Sequence, residues 1–495
     1  MKSKLSRRNF LKVAVASLTA AACSPKASAA VAKKKPNFII IFADDLGYGD
    51  ISGFAFNEPL CRTPNLDAMA AAGAKLTSFY VPTPYCAPSR ASLLTGRYPF
   101  RNTVVYNPAP DAGINDVGLP ASEITLAEAL KPAGYETCCI GKWHLGHTEQ
   151  YLPRTQGFDY YYGILYSNDM RPVQLVENES VVEYPVFQPT ITQRYTDKAL
   201  DFITRCAGAD KPFFLYLPHA MPHKPLAASE RFYTPETPDD LYADVIRELD
   251  HNVGRLLDKV SDLGIDDNTM IIFTSDNGPS YGGNTGGLRG KKAKSWEGGH
   301  RVPFIAKWPG RIPQETVNRS PVASVDIFPT ILKAANVEVP SDRKIDGIDI
   351  MPALKSEAPL PHPPIFEMGG VNLMSVRRGK WKLHVRKPQT YKPPTGNWTD
   401  PRGPDGVTLL AQFEQATPKQ YPGLVTGDKP REMMLFDIEA DPGEQHDISS
   451  RNPHIVAQLK KLYDETLAQF PKFTPPNRRF KNLRRLTGGE LKYDH

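Results

Sequence analysis

Three short apolar runs in the sequence predict strands that are buried on both faces. They cover residues 37–42, 212–217 and 270–274 and are rich in β-branched and aromatic residues, as is typical of strands inside a parallel sheet. Apolar residues at three- and four-residue spacing predict an amphipathic helix over residues 241–263, which Gly264 ends. The alternation of strands and helices predicts an α/β fold, with a large mostly parallel sheet sandwiched by helices.

The C-terminal part of the chain has a different pattern. Residues 380–385 alternate between polar and apolar side chains, which predicts a strand of a small antiparallel sheet, and residues 453–470 predict a helix. Residues 387–429 are rich in Pro, Gly and Thr, as long surface loops are. We therefore expect a main α/β domain at 36–364 and a smaller C-terminal α+β subdomain at 365–495.

Residues 1–29 have the features of a bacterial export signal. The heptad at 6–12 resembles a twin-arginine signal, and the apolar run at 13–22 is shorter than the about 20 residues that cross a bilayer. Small residues at 27–29 offer a cleavage site, with lipidation at Cys23 as the less favoured alternative. We expect a periplasmic or secreted protein without a transmembrane segment, exported folded by the twin-arginine translocase.

The positive net charge of the chain comes from that signal. The 495 residues include 60 Lys and Arg against 54 Asp and Glu, which gives a formal charge of +6. Residues 1–29 carry six basic and no acidic residues, so the chain without them is neutral and we expect no nucleic-acid partner. A hydrophobic fraction of 40% excludes a disordered or fibrous chain, and six cysteines do not make a disulfide scaffold.

Oxygen-bearing side chains follow two of the predicted strands. Asp44 and Asp45 come directly after the first strand, and Asp276 and Asn277 follow the third. Because the carboxyl ends of parallel strands lie at one edge of a sheet, we expect these four side chains to converge. Oxygen donors without a neighbouring Cys or His suit Ca²⁺ or Mg²⁺. The alternative is that these residues only turn the backbone at the strand ends.

A lone cysteine precedes a short predicted helix. Pro88 is suited to a first helical turn, residues 91–94 continue the helix, and Gly96 ends it. Cys86 therefore lies at a helix N-terminus, where backbone N–H groups favour an anion. The pattern indicates either a cysteine nucleophile or anion site, or simply a buried thiol.

The segment around this cysteine resembles a known family signature. Cys-x-Pro-Ser-Arg followed by Leu-Leu-Thr-Gly-Arg, at residues 86–97, is similar to the signature of type I, formylglycine-dependent sulfatases, the arylsulfatase-like branch of the alkaline phosphatase superfamily. Further segments match this family in its usual order: 141–146, 275–278, 288–290, 296–299, 326–330 and 435–444. The resemblance spans about residues 36–452. It implies an alkaline phosphatase-like fold and a catalytic domain at 36–364 that hydrolyses sulfate esters.

The resemblance also implies a modified residue. In this family a formylglycine-generating enzyme oxidises the signature cysteine to an aldehyde, here at Cys86 and in the cytoplasm before export. One hydroxyl of the aldehyde hydrate attacks sulfur, and the second expels sulfate. A serine at this position would remain a sulfate ester.

A metal site follows from the same correspondence. Asp44, Asp45, Asp276 and Asn277, together with the modified Cys86, would hold one Ca²⁺, which is favoured over Mg²⁺. The cation would lower the pKa of the hydrate and neutralise charge on the sulfuryl oxygens.

The remaining catalytic roles are also carried over from the family. Arg90 would stabilise the hydrate, and Lys142 would bind sulfate. His144 would deprotonate the second hydroxyl. Lys142 and His144 are two residues apart in a segment expected to be extended, so their side chains are expected to face the same side. His223 and Lys292 would contact sulfate and protonate the leaving oxygen.

Two further assignments are open in the sequence. Ser167 resembles a serine that contacts sulfate in some family members. The family pattern has glycine where Lys291 and Ala293 stand, so the lysine that contacts sulfate is Lys292 or a neighbour. A basic cluster of this kind is either a solvated face or a site for a second substrate sulfate.

These observations predict an exported sulfatase that acts on a sulfated carbohydrate or an aryl sulfate ester. One alternative is a phosphate or phosphonate monoester hydrolase of the same superfamily. Another is a non-catalytic protein that binds sulfated glycans. Loops at 160–162, 171–190 and 387–428 are expected to contact the leaving group, but their sequences do not identify a sugar.

Overall fold

The computed structural model describes residues 34–476 except 55, 57, 111–113, 115, 171, 172, 234–240, 281 and 391–422. The predicted signal at 1–29, Cys23 and most of the predicted 387–429 loops lie outside the described residues. Among the described residues, no helix has the length and apolar character needed to cross a membrane.

The strands are β1 (Asn37–Ala43), β2 (Ala74–Leu76), β3 (Phe79–Tyr80), β4 (Glu136–Lys142), β5 (Tyr160–Ile164), β6 (Leu175–Glu177), β7 (Ser180–Glu183), β8 (Phe213–Pro218), β9 (Thr269–Ser275), β10 (Arg301–Val302), β11 (Phe304–Lys307), β12 (Thr316–Asn318), β13 (Val322–Ala323), β14 (Ile365–Gly369), β15 (Asn372–Arg378), β16 (Trp381–His384) and β17 (Met434–Asp437). The α-helices are α1 (Pro64–Ala71), α2 (Cys86–Thr95), α3 (Pro99–Asn102), α4 (Leu126–Leu130), α5 (Ile191–Gly208), α6 (Leu241–Asp262), α7 (Glu297–His300), α8 (Ile327–Ala334), α9 (Met351–Lys355) and α10 (Pro453–Leu467).

The main sheet is parallel at its centre and mixed at its flanks. Within the described ranges it has ten strands in the order β12-β2-β11-β9-β1-β8-β4-β5-β6-β7. The five strands from β9 to β5 are parallel, whereas β11 and β6 run antiparallel to their inner neighbours. The prediction of a large, mostly parallel α/β sheet is confirmed, and β1, β8 and β9 are the three strands that the apolar runs predict.

Both faces of this sheet are buried under helices. Along β1, Phe38, Ile40 and Phe42 belong to one apolar cluster, and the alternate residues belong to another. Helices α2 and α8 contribute to the first cluster, and α5 and α6 to the second. The predicted helix over 241–263 is α6, and Gly264 follows it with a left-handed φ of 64°. This two-sided burial is why the strands are apolar at every position.

A smaller antiparallel sheet forms the C-terminal part, as predicted. Its strand order is β14-β15-β16-β17, and α10 packs on it through Leu459 and Tyr463. A third sheet has the order β10-β3-β13. The predicted domain boundary between residues 364 and 365 stays a prediction.

A buried ionic cluster joins the C-terminal sheet to α7. We call Glu297, Glu367, Lys382, His384 and Glu444 the junction cluster; each is fully buried. The Lys382 ammonium lies 3.0 Å from Glu297 and from Glu367 and 3.4 Å from Glu444. Glu444 also accepts a hydrogen bond from the Glu297 backbone N–H at 2.6 Å. The start of α7 is therefore held by charges from the C-terminal sheet.

Candidate active site

The site begins where two neighbouring strands end. β1 and β9 pair in register up to Ala43 and Ser275, so the residues that follow them lie side by side. The Asp45 backbone N–H donates to Asp276 Oδ1 at 3.1 Å, and Asn277 Nδ2 donates to Asp45 Oδ1 at 2.7 Å. The structure thus brings the predicted carboxylates and amide together in one buried pocket.

Cys86 enters this pocket from the first turn of α2. The thiol is buried, and its Sγ lies 3.5 Å from Asp44 Oδ1 and 3.9 Å from Asp45 Oδ1. Burial raises the pKa of Cys86 well above its ordinary value, although the charges of Lys142 and Lys292 oppose this. The unmodified thiol is therefore neutral in this site, which makes it a weak nucleophile.

Arg90 lies one helical turn after Cys86 and ties the cluster together. Its Nε and Nη2 donate to Asp276 Oδ2 at 3.1 and 2.7 Å, and its Nη1 donates to the Lys142 carbonyl at 2.8 Å. Nη2 also lies 3.5 Å from Asp44. The guanidinium therefore fixes one carboxylate and the end of β4 at the same time.

Lys142, Ser167 and His223 lie together on one side of the carboxylates. Lys142 Nζ forms an ion pair with Asp44 and donates to Ser167 Oγ at 3.1 Å. His223 Nε2 lies 3.6 Å from Asp45 Oδ2, and Ser167 Oγ lies 3.3 Å from His223 Nδ1. Burial, followed by Lys292 and Lys142, lowers the pKa of His223 well below its ordinary value.

Lys292, in the 291–294 segment, contacts the pocket residues. Its Nζ donates to Asp45 Oδ2 at 2.8 Å and lies 2.7 Å from Oδ1. The same ammonium lies 3.3 Å from Cys86 Sγ. Lys292 therefore contacts both a predicted metal ligand and the predicted modified residue.

His144 reaches its position by a backbone conformation that the sequence did not predict. The expectation of an extended segment is wrong, because β4 ends at Lys142 and His144 has a left-handed φ of 58°. His144 Nε2 donates to the Pro108 carbonyl at 3.1 Å, and its buried Nδ1 has no hydrogen-bond partner among the described residues. Burial, then Lys142 and Arg90, lowers its pKa well below the ordinary value, which leaves a neutral imidazole with a free lone pair.

Sequence reasoning missed two asparagines that support the site. Asn168 Oδ1 lies 3.1 Å from His223 Nδ1, and Asn168 Nδ2 donates to the His223 carbonyl at 3.2 Å. Asn107 Oδ1 accepts from the Ala87 backbone N–H at 3.1 Å and so caps the first turn of α2. Neither belongs to a matched motif, and the adjacency of Asn168 to Ser167 was the only available signal.

A buried acid also fixes the loop after β1. Asp50 accepts from the Gly47 N–H at 2.5 Å, from Tyr242 Oη at 2.7 Å and from the Asn284 N–H at 2.6 Å. Tyr242 Oη also lies 3.3 Å from the Asp45 carbonyl. Helix α6 therefore holds the backbone of a predicted metal ligand.

The donor set is suited to a cation. Asp44, Asp45, Cys86 and His223 each offer one ligand atom within 4.8 Å of the others. Asn277 Oδ1 is buried and has no hydrogen-bond partner in the described part of the chain. Asp276 differs, because both of its oxygens already accept hydrogen bonds, from Arg90 and Asp45.

Two family models match the chain, Sulfatase over residues 36–337 and the C-terminal region of aryl-sulfatase over residues 360–487. The chain belongs to the sulfatase family. It is therefore a sulfuric ester hydrolase with the alkaline phosphatase-like fold, and the pocket at the end of β1 and β9 is its candidate active site.

Curated relatives and a solved structure agree with this family. The N-acetylgalactosamine-6-sulfatase of Canis lupus familiaris is 37% identical over 474 residues, covering 88% of this chain and 85% of that protein. Arylsulfatase G of Homo sapiens is 38% identical over 404 residues, covering 70% and 75%. The structure of Ps i-CgsB in complex with k-i-k-neocarrahexaose matches with a TM-score of 0.72 at 28% identity, covering 88% of this sulfatase and 94% of that chain.

Proposed function

We propose that this sulfatase is exported and hydrolyses sulfate esters on a sulfated carbohydrate, through a formylglycine formed at Cys86 and one bound Ca²⁺. The observation that carries the proposal is the convergence on Cys86 of a carboxylate cluster and the Lys292 ammonium, 3.3 Å from Sγ. Carbohydrate is supported by one relative named for a sulfated amino sugar and by a structure solved with an oligosaccharide.

Modification of Cys86 is supported by the state of its side chain. Because burial raises its pKa, the thiol is neutral and supplies no strong nucleophile. Oxidation to formylglycine would supply, after hydration, an oxygen nucleophile that can be regenerated. A cytoplasmic formylglycine-generating enzyme would act before export, and residues 6–12 would then direct the folded protein to the twin-arginine translocase.

The residues around Cys86 fit a hard cation. Asp44, Asp45, Asp276 and Asn277 would hold Ca²⁺. Asn277 Oδ1 is buried and has no hydrogen-bond partner among the described residues, and it is a carbonyl oxygen of the kind that Ca²⁺ binds. Burial raises the pKa of Asp44 to about 7, and Asp276 and Asp45 act in the same direction, against the opposing charges of Lys142 and Arg90. The ion would neutralise charge that develops on the sulfuryl oxygens.

The chain's own residues would bind and orient the ester. Lys142 and Lys292 would hold sulfate oxygens as charged donors, with Ser167 donating a further hydrogen bond. His144, neutral and with its Nδ1 free of hydrogen bonds in the described region, would accept a proton. Arg90 would hold the carboxylate of Asp276 in place through two donors.

His223 would act on the leaving oxygen. The Lys224 carbonyl, at 2.6 Å, accepts from Nδ1–H, and Asn168 Oδ1 lies 3.1 Å from the same nitrogen. Nε2 is then directed towards the Asp45 side of the pocket. The lowered pKa of His223 reflects burial and two nearby lysines. The negative charge of a bound sulfate ester opposes that shift, so binding would favour the protonated form that a general acid requires.

Parallel assays with 4-nitrophenyl sulfate and 4-nitrophenyl phosphate test the proposed function. With Ca²⁺ supplied, kcat/KM is expected to be larger for the sulfate by about 100-fold or more. The physical reason is that the described residues form one group of side chains that could bind a metal ion. Lys142 and Lys292 flank this group, where a two-metal phosphatase would have ligands for a second ion. Faster hydrolysis of the phosphate would favour the phosphatase alternative, and saturable sulfated-glycan binding without turnover would favour a non-catalytic protein.

Removal of divalent cations is expected to lower the activity strongly. Chelation should lower kcat/KM for 4-nitrophenyl sulfate by about 100-fold, because the buried carboxylates then repel the sulfate. The melting temperature should fall as well, since an ion bound only to the folded state stabilises it. Added Ca²⁺ should restore both values better than Mg²⁺. Unchanged activity and melting temperature in protein that elemental analysis finds metal-free would contradict the proposed ion.

A further inference from the structure

Asn168 joins the loop that carries His223 to the end of β5. It lies four residues after the last residue of that strand, next to Ser167, and it is fully buried. Its Nδ2 lies 3.2 Å from the His223 carbonyl and 3.3 Å from the Pro225 carbonyl, and its Oδ1 lies 3.1 Å from His223 Nδ1. One buried amide therefore contacts both the backbone and the ring of the His223 loop.

These partners determine which way the Asn168 amide points. Backbone carbonyls only accept hydrogen bonds, so the amide nitrogen has to face the carbonyls of His223 and Pro225. The amide oxygen then faces His223 Nδ1 and, because this oxygen also only accepts, Nδ1 carries a proton. The Lys224 carbonyl, 2.6 Å from Nδ1, requires the same. Nε2, which lies 3.6 Å from Asp45 Oδ2, is the ring nitrogen that remains for the substrate.

Gln188 holds Asn168 in this position. It lies in a short 3₁₀ turn, Gln188–Thr190, directly before α5, and it is also fully buried. Its Nε2 donates to the Asn168 carbonyl at 2.9 Å, and its Oε1 lies 3.4 Å from Asn168 Nδ2. The Lys224 carbonyl differs, because it belongs to the same loop as His223 and moves with it. Asn168 and Gln188 are thus the contacts that fix the ring relative to the sheet and α5.

We propose that Asn168, held by Gln188, is a positioning residue that directs His223 Nε2 towards the bridging oxygen of the sulfate ester. This inference rests on the proposed role of His223 as the proton donor. As the S–O bond breaks, the sulfuryl group passes to the oxygen nucleophile at residue 86, and the electron pair of the bond stays on the leaving oxygen, which takes the Nε2 proton. A sugar alkoxide needs that proton, whereas an acidic phenol leaves without it. Asn168 therefore matters most for sulfate esters of sugars.

The test compares two aryl esters of similar shape whose leaving groups differ in acidity. 4-Nitrophenol is an acidic phenol, whereas 4-methylphenol has the pKa of a tyrosine side chain, about 10. Asn168→Ala should lower kcat/KM for 4-methylphenyl sulfate by about 100-fold, and for 4-nitrophenyl sulfate by less than about 3-fold. A hexosamine monosulfate should lose at least as much as the 4-methylphenyl ester. Gln188→Leu should have the same selective effect, of about 10-fold.

Asn318→Ala is the matched control for a purely structural effect. Asn318 is a fully buried asparagine on the edge strand β12, and its Nδ2 donates to the Ser356 and Ala358 carbonyls at 2.6 and 2.9 Å. This variant should lower the melting temperature, as Asn168→Ala does, but leave the ratio of the two kcat/KM values unchanged. In a His223→Gln background, Asn168→Ala should not change that ratio further. Equal losses for both esters, or a selective loss that persists without His223, would overturn the inference.

Nuclear magnetic resonance decides the positioning role independently of turnover. In protein with isotope-labelled histidine, the Nδ1–H resonance of His223 is assigned by its loss in His223→Gln. Its exchange with water should become faster by about 10-fold or more in Asn168→Ala, but not in Asn318→Ala. Unchanged exchange in Asn168→Ala would overturn the inference. Absence of sulfate release by the wild type would instead refute the proposed function, while the exchange rates would still decide whether Asn168 holds the ring.

Discussion

Replacement of Cys86 by serine is expected to lower kcat for 4-nitrophenyl sulfate by on the order of 10⁴-fold or more. Serine carries one hydroxyl, whereas the hydrate of formylglycine carries two on the same carbon. After attack on sulfur, the serine would remain a sulfate ester, because it has no second hydroxyl to expel the sulfate. The contacts of residue 86 with Asp44 and Lys292 would otherwise be retained by an oxygen of similar position. Steady-state kinetics and the intact mass of the peptide that contains residue 86 measure the effect.

Cys206→Ser is the matched control, because it makes the same change at another buried thiol, in α5. Its activity should stay near that of the wild type. In active wild-type protein, the Cys86 peptide should have the mass of the aldehyde rather than of the thiol. A Cys86→Ser variant as active as the wild type, or active protein whose Cys86 is entirely thiol, would contradict the formylglycine proposal.

The sequence predicted those parts of the structure that depend on local pattern. β1 and β9 are apolar at every position because both faces of the sheet are covered. Their parallel pairing then places Asp44 beside Asp276 without further information. The flanking strands are different, because β6 and β11 are short and the direction in which each pairs depends on its neighbours in space. The pattern of apolar residues therefore predicted a large sheet but not its mixed flanks.

The contacts of Asn168 and His144 could not be predicted from the sequence, because they are long-range. Asn168 contacts His223 across 55 positions of sequence, and the contact of His144 with the Pro108 carbonyl spans 36 positions. An asparagine in a loop has many possible partners, and its sequence neighbourhood does not select one. The left-handed φ of His144 could not be predicted either, since this conformation is uncommon for non-glycine residues and the sequence pattern does not mark where it occurs.

Lys382→Met is expected to lower the free energy of unfolding by about 3–5 kcal/mol, because it removes the ammonium that three buried carboxylates of the junction cluster share. Arg301 and Arg377 remain near Glu297, at 3.6 and 3.8 Å. The Lys382 ammonium lies within 3.4 Å of Glu297, Glu367 and Glu444, and all four side chains are fully buried. Urea denaturation measures the loss. Lys380→Met is the matched control, since Lys380 is an exposed lysine on the same hairpin and pairs with Asp437 at 2.6 Å, and it should change stability little.

The pH dependence of this loss separates lost charge compensation from lost packing. Burial already raises the pKa of Glu444 to about 7 and raises that of Glu297, whereas the Lys382 charge helps to lower that of Glu367. Without Lys382, all three folded-state pKa values should rise. The folded variant then binds more protons than the unfolded chain, so its deficit should be smaller near about pH 5 than near about pH 8. A deficit that is independent of pH, or no larger than that of Lys380→Met, would contradict the electrostatic role. Because Glu297 begins the helix that follows the 291–294 segment, a pH-dependent deficit accompanied by a raised KM for sulfate esters would mean that the C-terminal sheet also positions Lys292.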